Sequence, residues 1–195
     1  MQKKKESLNV KDLINVGIYT ALYLVVFFVV GLLTAIPVVY PALFLIWPIV
    51  TGIPFMLYMT KIKKPGMIFI SSIILSLAWF LIGYPWSVLV TYFICGILAE
   101  IAFKKANYTD FKLIILGYWF FSTGIIGAQL PIWFMKDYLL EVRGAMGDQY
   151  ANQLATVMPK WMLFGGLGLM FIGCIIGALI GKKMLKKHFK KAGIA

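Results

Sequence analysis

Six long apolar segments, separated by short polar connections, dominate the pattern of hydrophobic and polar positions along the chain. They cover residues 13–33, 38–59, 66–82, 85–103, 111–132 and 161–181. Each contains roughly the twenty residues that an α-helix needs to cross a hydrocarbon core of about 30 Å. The pattern predicts an all-α membrane protein: a six-transmembrane-helix bundle at 12–183 and basic tails at 1–11 and 184–195 form a single integral membrane domain, 1–195.

The positive charges fall almost entirely at alternate connections. Of the 19 Lys and Arg residues, 16 lie before the first segment or after the second, fourth and sixth segments. Because cytoplasmic connections carry the excess of Lys and Arg, both termini are predicted to be cytoplasmic. The basic start precedes an apolar run that is too long for a signal-peptide core and has no small-residue cleavage pattern, so we expect that run to remain as the first helix.

The net charge of +12 follows the same asymmetry. Basic residues at the inner membrane face are attracted to anionic lipid headgroups by about 1 kcal/mol each. We therefore expect the lipid bilayer to be the partner of this charge, with no nucleic-acid partner, and a multi-pass location in the cell membrane.

One connection, at 136–160, is much longer than the others and is predicted to lie outside, between the fifth and sixth helices. Its apolar residues recur every three or four positions, as Leu139, Val142, Met146, Tyr150, Leu154 and Val157. This spacing predicts an amphipathic helix, or a pair of helices broken at Gly144 or Gly147. Such a segment either lies in the membrane interface and fills space, or forms a lid over an outward-facing site.

The residue types that usually carry chemistry in a membrane are missing from the predicted spans. No charged residue lies near the centre of a span, where it would mark an ion pathway. The single histidine, His188, lies in the basic tail without a metal-ligand partner, and Ser122 has no base to activate it. Cys95 and Cys174 are expected to be small packing residues. We therefore expect no catalytic residue, no metal, no cofactor and no enzymatic activity.

Small residues spaced one turn apart are the clearest recognition feature. In the first helix, Gly17 and Ala21, with Thr20 alongside, allow another helix to approach closely. Similar residues recur in the fourth and sixth segments, at Ser87, Thr91, Cys95 and Ala99 and at Gly173, Gly177 and Gly181. Packing within the bundle is the ordinary role of such a stripe.

Aromatic residues are concentrated at the predicted outer half of the bundle, where they are Tyr40, Trp47, Trp79, Tyr84, Trp86, Trp133 and Trp161. Trp119 is expected to lie deeper, in the core. An interfacial aromatic belt is one interpretation, but the predicted inner boundary has no tryptophan. The other is an outer cavity walled by these rings, with Gln129 and Asn152 as polar groups, suited to a planar or heterocyclic small molecule. These aromatics and Gln129 are the candidate substrate-binding residues.

Several motifs resemble those of the S components of energy-coupling factor (ECF) transporters, and more narrowly the MptD-type, or Trep-Strep, family. They are LNVKDLI at 8–14, GIYTALY at 17–23, KPG at 64–66, GILAE at 96–100 and LKKHFKKAGI at 185–194. The resemblance spans nearly the whole chain. The chain departs from the family's usual coupling motif in the first helix, Ala-xxx-Ala, because Gly17 stands in place of the first alanine.

The resemblance implies a bacterial plasma-membrane subunit that captures a vitamin-like micronutrient outside the cell. It also implies the partners: a transmembrane coupling subunit (T component), docked through Gly17, Thr20 and Ala21, and two cytoplasmic ATPases that hydrolyse ATP. In this mechanism the S component topples in the bilayer and carries its site inward. The alternative from the residues alone is a membrane scaffold or assembly subunit without a transport role.

Overall fold

The structure is a computed structural model that describes residues 8–62, 64–135 and 137–189. Most of the two predicted tails, together with Lys63, Lys136 and the side chains of His188 and Phe189, lie outside the described residues. Within that part the fold is helical and contains no strand. The α-helices are α1 Val10–Gly31, α2 Tyr40–Met59, α3 Met67–Leu81, α4 Ser87–Lys105, α5 Phe111–Thr123, α6 Leu130–Phe134, α7 Tyr138–Met146, α8 Asp148–Val157 and α9 Met162–Met184.

Short helices of other types extend or join these elements. The 3-10 helices are Leu32–Ala35, Pro37–Val39 and Gly124–Ala128, and a π-helix continues α9 at Leu185–Phe189. With these extensions, five helical segments among the described residues are long and apolar enough to cross a membrane: Val10–Ala35, Pro37–Met59, Ser87–Lys105, Phe111–Ala128 and Met162–Lys187. The prediction of spans is therefore confirmed for five of the six apolar segments. The remaining one forms α3, which is apolar but has only 15 residues.

The start of α1 is attached to the connection between α2 and α3. Asn9 and Asp12 form a capping box, in which the Asn9 Oδ1 accepts from the Asp12 N–H and the Asp12 Oδ2 accepts from the Asn9 N–H, both at 2.9 Å. The same Asp12 oxygen lies 2.9 Å from the Lys64 Nζ. Two motifs that are far apart in the sequence, at 8–14 and 64–66, thus meet at one end of the bundle.

Helices α2 and α9 pack backbone against backbone. Gly52 of α2 faces Gly177 of α9 so closely that a Cβ on either residue would overlap backbone atoms of the other helix. Gly173 and Gly181 make similar contacts one turn before and one turn after Gly177. This is the close approach that small residues permit in a membrane, where dispersion contacts replace the hydrophobic drive. The expectation that the glycine stripe of the sixth segment packs within the bundle is confirmed.

The small polar residues of α4 satisfy backbone carbonyls of the 3-10 helix that extends α5. The Ser87 Oγ donates to the Gly127 carbonyl and the Thr91 Oγ1 donates to the Gly124 carbonyl, each at 2.6 Å. A 3-10 segment has less favourable hydrogen-bond geometry than an α-helix, and water is absent in lipid, so side-chain donors are needed there. Ser87 and Thr91 of the fourth segment therefore stabilise the interior of the bundle through these hydrogen bonds.

We expect Gly177→Leu to lower the free energy of unfolding by about 3 kcal/mol, because the new side chain would force α2 and α9 apart. Gly168→Leu is the matched control: it lies in the same helix, and a Cβ there meets no atom within 4 Å. Thermal unfolding of the two purified variants in detergent measures the difference. Equal melting temperatures for the two variants would contradict the conclusion that the close contact at Gly177 holds α2 and α9 together.

Candidate functional site

The three connections predicted to lie outside come together around a cavity of about 250 Å³. Its wall is formed by the end of α1 and the 3-10 turn after it, by α2 and α3, and by the helical hairpin α7–α8. The lining residues that bear on recognition are Phe27, Thr34, Trp47, Trp79, Tyr84 and Tyr150. The motifs at 8–14 and 64–66 lie at the opposite end of α1 and α3, so the cavity and the basic connections are separated by the length of the bundle.

Aromatic rings form the floor of the cavity. Phe27 stacks on Trp47, with ring centroids 4.7 Å apart and ring planes 13° from parallel. Trp79 lies 5.0 Å from Phe27 in a tilted arrangement, and Tyr84 meets Trp79 edge to face at 5.4 Å. Such arrangements contribute about 0.5–1.5 kcal/mol per pair beyond the burial of area. The floor is therefore preformed from three helices and the connection after α3, and the rings of Phe27, Trp47 and Trp79 are each only 3% exposed.

Two indole N–H groups at this floor lack hydrogen-bond partners. The Nε1 atoms of Trp47 and Trp79 are fully buried and make no hydrogen bond within the described part of the chain. The Tyr92 hydroxyl is a neighbour of Trp79 but does not meet hydrogen-bond geometry with it. By contrast, the Trp119 Nε1 donates to the Leu167 carbonyl at 3.1 Å. A buried donor without a partner costs about 1–3 kcal/mol. The Thr20 Oγ1 and Ser122 Oγ atoms of the core are also buried without a partner among the described residues, so this condition is not particular to the cavity.

The long outer connection folds over this end as two helices. The chain reverses at Gly147, whose φ of 89° favours glycine, and Gly144 lies within α7. The prediction of a helix pair broken at one of these glycines is confirmed, with the break at Gly147. The Tyr150 hydroxyl donates to the Thr34 carbonyl at 2.7 Å, which ties α8 to the turn after α1.

Two charges of the hairpin, Arg143 and Asp148, are paired with each other. The Arg143 Nε lies 2.9 Å from the Asp148 Oδ1, and its Nη2 donates to the Asn152 Oδ1 at 3.1 Å. Both ion-pair partners are well exposed, so the pair adds little to stability.

Burial raises the pKa of Tyr84 and of Tyr150, so both hydroxyls remain neutral donors well into the alkaline range.

The structure brings three of the predicted substrate-binding residues, Trp47, Trp79 and Tyr84, to the cavity. Tyr40 is buried next to Trp47, with ring centroids 6.5 Å apart and the planes nearly perpendicular. The other four do not line the cavity. Trp86 and Trp161 are 60% and 67% exposed, whereas Gln129 and Trp133 are buried.

The two buried members of that group have partners of their own. The Trp133 Nε1 donates to the Met158 carbonyl at 2.9 Å, and the Gln129 amide, oriented to satisfy its groups, donates to the Ile125 carbonyl at 2.7 Å. Asn152 is exposed and accepts from Arg143, so it does not act as a polar group of the cavity. The aromatic cavity residues that sequence reasoning missed are Phe27, Phe28 and Tyr150. Phe27 lies one turn after the buried Tyr23, a signal that was available in the sequence.

The predicted docking residues separate onto two faces of α1. Gly17 and Ala21 are exposed, and a Cβ on Gly17 would meet no atom within 4 Å. Thr20 is buried, with only 2% of its surface exposed, and its hydroxyl faces the interior of the bundle. The exposed small patch therefore consists of Gly17 and Ala21 without Thr20.

Glu100 is the acidic residue of the fourth segment, and its carboxylate has hydrogen-bond partners on other elements. At the end opposite the cavity, the Glu100 carboxylate accepts from the Phe69 N–H and the Tyr108 hydroxyl, each at 3.2 Å. These bonds join α3, α4 and the turn before α5, a structural role. No group of three or more His, Cys, Asp or Glu side chains suited to a metal ion occurs among the described residues.

We expect Tyr150→Phe to loosen α8, because it leaves the Thr34 carbonyl without this donor and a hydrogen bond contributes about 1 kcal/mol. Amide hydrogen exchange in α8 should become about fivefold faster, since exchange from local opening follows the opening free energy. Tyr138→Phe is the control, because it removes a hydroxyl from α7 of the same hairpin and leaves the Tyr150–Thr34 bond intact. The same acceleration in both variants would show that this bond does not hold the hairpin.

The comparisons with known proteins identify the family. No curated protein and no solved structure matches the chain. A family model described as a hypothetical bacterial integral membrane protein (Trep_Strep) matches residues 10–191, nearly the whole chain. Five helical segments that can span a bilayer agree with that description. The chain is thus an integral membrane protein of bacterial type and belongs to the Trep_Strep family.

Proposed function

We propose that this protein is the substrate-binding S component of an ECF-type importer. In this role it captures a small, vitamin-like micronutrient at the cavity bounded by α1, α2, α3 and the hairpin α7–α8. The observation that carries the proposal is an aromatic-lined cavity of about 250 Å³ at the end of the bundle opposite the basic connections. A concave, mostly apolar and aromatic wall with a few polar groups is typical of a small-molecule site.

The proposal places the cavity on the outer face. The connections around it carry few basic residues, while the basic connections meet at the other end, near the Asp12–Lys64 ion pair. Helix α3 runs from one end to the other, since Gly66 just before it lies near Leu8 and Tyr84 just after it lines the cavity. We therefore propose that α3 is the sixth crossing, with tilt or local thinning of the bilayer accommodating its 15 residues.

Docking on the coupling subunit is proposed to use the exposed small patch, Gly17 and Ala21. Helix α1 packs against α2 and α3 on one side and leaves its other side uncovered, with Ile14, Ile18 and Leu22 exposed around the patch. A flat, small-residue surface lets a partner helix approach closely and leave again. ATP hydrolysis belongs to the two partner ATPases in this proposal, and the chain itself is not an enzyme.

A scaffold or assembly subunit is the second candidate function. The exposure of Trp86 and Trp161 favours it, because these two residues match an interfacial aromatic belt and not a cavity wall. The buried rings of Trp47 and Trp79 do not match a belt.

The capture function predicts that the chain, expressed without its partners and purified in detergent, retains or binds a small molecule. A ligand at a thousandfold excess over its Kd stabilises the folded state by about 4 kcal/mol, so it should raise the melting temperature clearly. Mass spectrometry of the extracted small molecules, followed by thermal unfolding with a vitamin panel, measures this. No retained molecule and no stabilisation across the panel would favour the scaffold function.

The docking proposal predicts that the double variant Gly17→Leu and Ala21→Leu loses uptake while it keeps ligand binding. Both positions are exposed and Gly17 has open space around it, so the fold should tolerate the larger side chains. Gly168→Leu adds the same side chain to an open position of α9 and is the matched control. Uptake by cells that also express the coupling module is compared with binding by the purified protein. Unchanged uptake in the double variant would refute docking through this patch.

A further inference from the structure

We infer that the cavity end of the bundle binds an organic cation, whose ammonium group lies between tyrosine rings and the Glu141 carboxylate. The inference rests on the proposed capture function and names the chemical class of its substrate. It is carried by a second pocket that adjoins the cavity, by the partly exposed tyrosines of this region and by the sign of the charge beside them.

A pocket of about 390 Å³ lies beside the cavity and shares Tyr84 with it. Its wall combines the connection between α3 and α4, at Tyr84, with the start of the hairpin, at Met135, Tyr138 and Glu141. A further recess is lined by Asp137 together with these three hairpin residues. We call the shared region the tyrosine pocket. Glu141 is exposed, so a solute can reach this carboxylate without any rearrangement of the bundle.

Three tyrosines surround the place where the pocket and the cavity meet. Tyr84 and Tyr138 line the pocket, Tyr150 lines the adjoining cavity, and all three are partly exposed. Burial raises the pKa of Tyr138, and the neighbouring Tyr84, Tyr150 and Glu141 raise it further, so these four side chains lie close together. Neutral tyrosine rings attract a cation through their quadrupole, and aromatic groups of this kind recognise quaternary ammonium ligands in other proteins.

The charge beside these rings is negative. The carboxylates of Glu141 and Asp137 make no ion pair and no hydrogen bond within the described part of the chain, and none of the described lining residues is basic. The basic residue of α7, Arg143, is bonded to Asp148 and Asn152. An ammonium group therefore gains both a counter-charge and aromatic contacts here, whereas an anion is repelled by both.

The test compares charge isosteres on the full-length protein in a maltoside detergent, by isothermal titration calorimetry. Choline, the neutral alcohol 3,3-dimethyl-1-butanol and the anion 3,3-dimethylbutanoate have nearly the same shape and differ in charge. We expect choline to bind at least about tenfold more tightly than the alcohol, and the anion not to bind at millimolar concentration. Equal affinities for choline and the alcohol, or no binding of choline at millimolar concentration, would overturn the inference.

A lipid headgroup is the other source of the same ammonium chemistry. Glycerophosphocholine joins choline to the phosphate of a lipid, and that phosphate would lie near the carboxylates of Glu141 and Asp137. We therefore expect glycerophosphocholine to bind at least about threefold more weakly than choline. Tighter binding of glycerophosphocholine would assign the tyrosine pocket to a lipid headgroup and overturn the assignment to a captured solute.

The carboxylate is tested by Glu141→Gln, which should weaken choline binding about tenfold because it removes the counter-charge. Asp110→Asn is the matched control. It removes a carboxylate that caps α5, away from the pocket, and asparagine caps a helix equally well, so choline binding should not change. Unchanged choline binding in Glu141→Gln would refute the role of this carboxylate.

The rings are tested by two substitutions at Tyr138, whose hydroxyl makes no hydrogen bond within the described residues. Tyr138→Phe keeps the aromatic ring and should keep choline binding, whereas Tyr138→Leu should weaken it about fivefold. Equal losses in the two variants would refute recognition by the ring. The probe comparison on the unmodified protein decides the ligand class even if a variant fails to fold.

Lys136 precedes Asp137 in the sequence and lies outside the described residues. We expect Lys136→Ala to bind choline at least as tightly as the unmodified protein, because the substitution removes a positive charge next to Asp137 in the sequence. Choline binding that occurs only in Lys136→Ala would identify the lysine of the chain itself as the cation of this pocket and would overturn the inference.

The inference and the proposed function fail in different ways. Binding and uptake of a neutral or anionic molecule by this chain would overturn the inference and leave the capture function standing. Binding of choline with the expected preferences, but without uptake of any bound cation by cells that express the coupling module, would support the inference and refute the importer role.

Discussion

The backbone contact between α2 and α9 is the constraint on which the rest of the bundle depends. Gly52 and Gly177 leave no room for a side chain, so α2 and α9 are held in one register. Helix α2 contains Pro48 and Pro54, and the Tyr118 hydroxyl of α5 donates to the Pro48 carbonyl at 2.7 Å. In lipid, where water cannot satisfy backbone groups, such contacts decide which arrangement of a proline-containing helix persists.

The position of α2 in turn determines the cavity. Trp47 lies one residue before Pro48, on the helix that α9 and α5 hold in place, and its ring is stacked on Phe27. The floor of the cavity is therefore built on a helix whose backbone is in close contact with α9. The hairpin α7–α8 forms another wall. It is joined to the turn after α1 by the Tyr150–Thr34 bond, and Ala151 and Leu154 of α8 are buried against the bundle.

Helix α1 has two faces with different roles. The buried face contributes Tyr23 and Phe27 to the aromatic core, and the start of the helix is anchored by the Asp12–Lys64 ion pair. The other face presents Gly17 and Ala21 among exposed apolar side chains. One helix thus contributes both to the cavity and to the proposed docking surface.

The sequence by itself determined the class of the protein, five of its spans, the hairpin with its glycine break and the aromatic character of one end. These follow from hydropathy, spacing and composition, which act locally along the chain. Only the tertiary structure decided which aromatics share a cavity: Trp47, Trp79 and Tyr84 do, whereas Trp133 bonds to Met158 and Trp161 faces outward. It also separated Thr20 from Gly17 and Ala21, and it showed α3 to be shorter than its apolar segment. Ring neighbours and helix faces depend on how the helices are rotated against one another, and that rotation is set by close contacts such as Gly52–Gly177, which join residues far apart in the sequence.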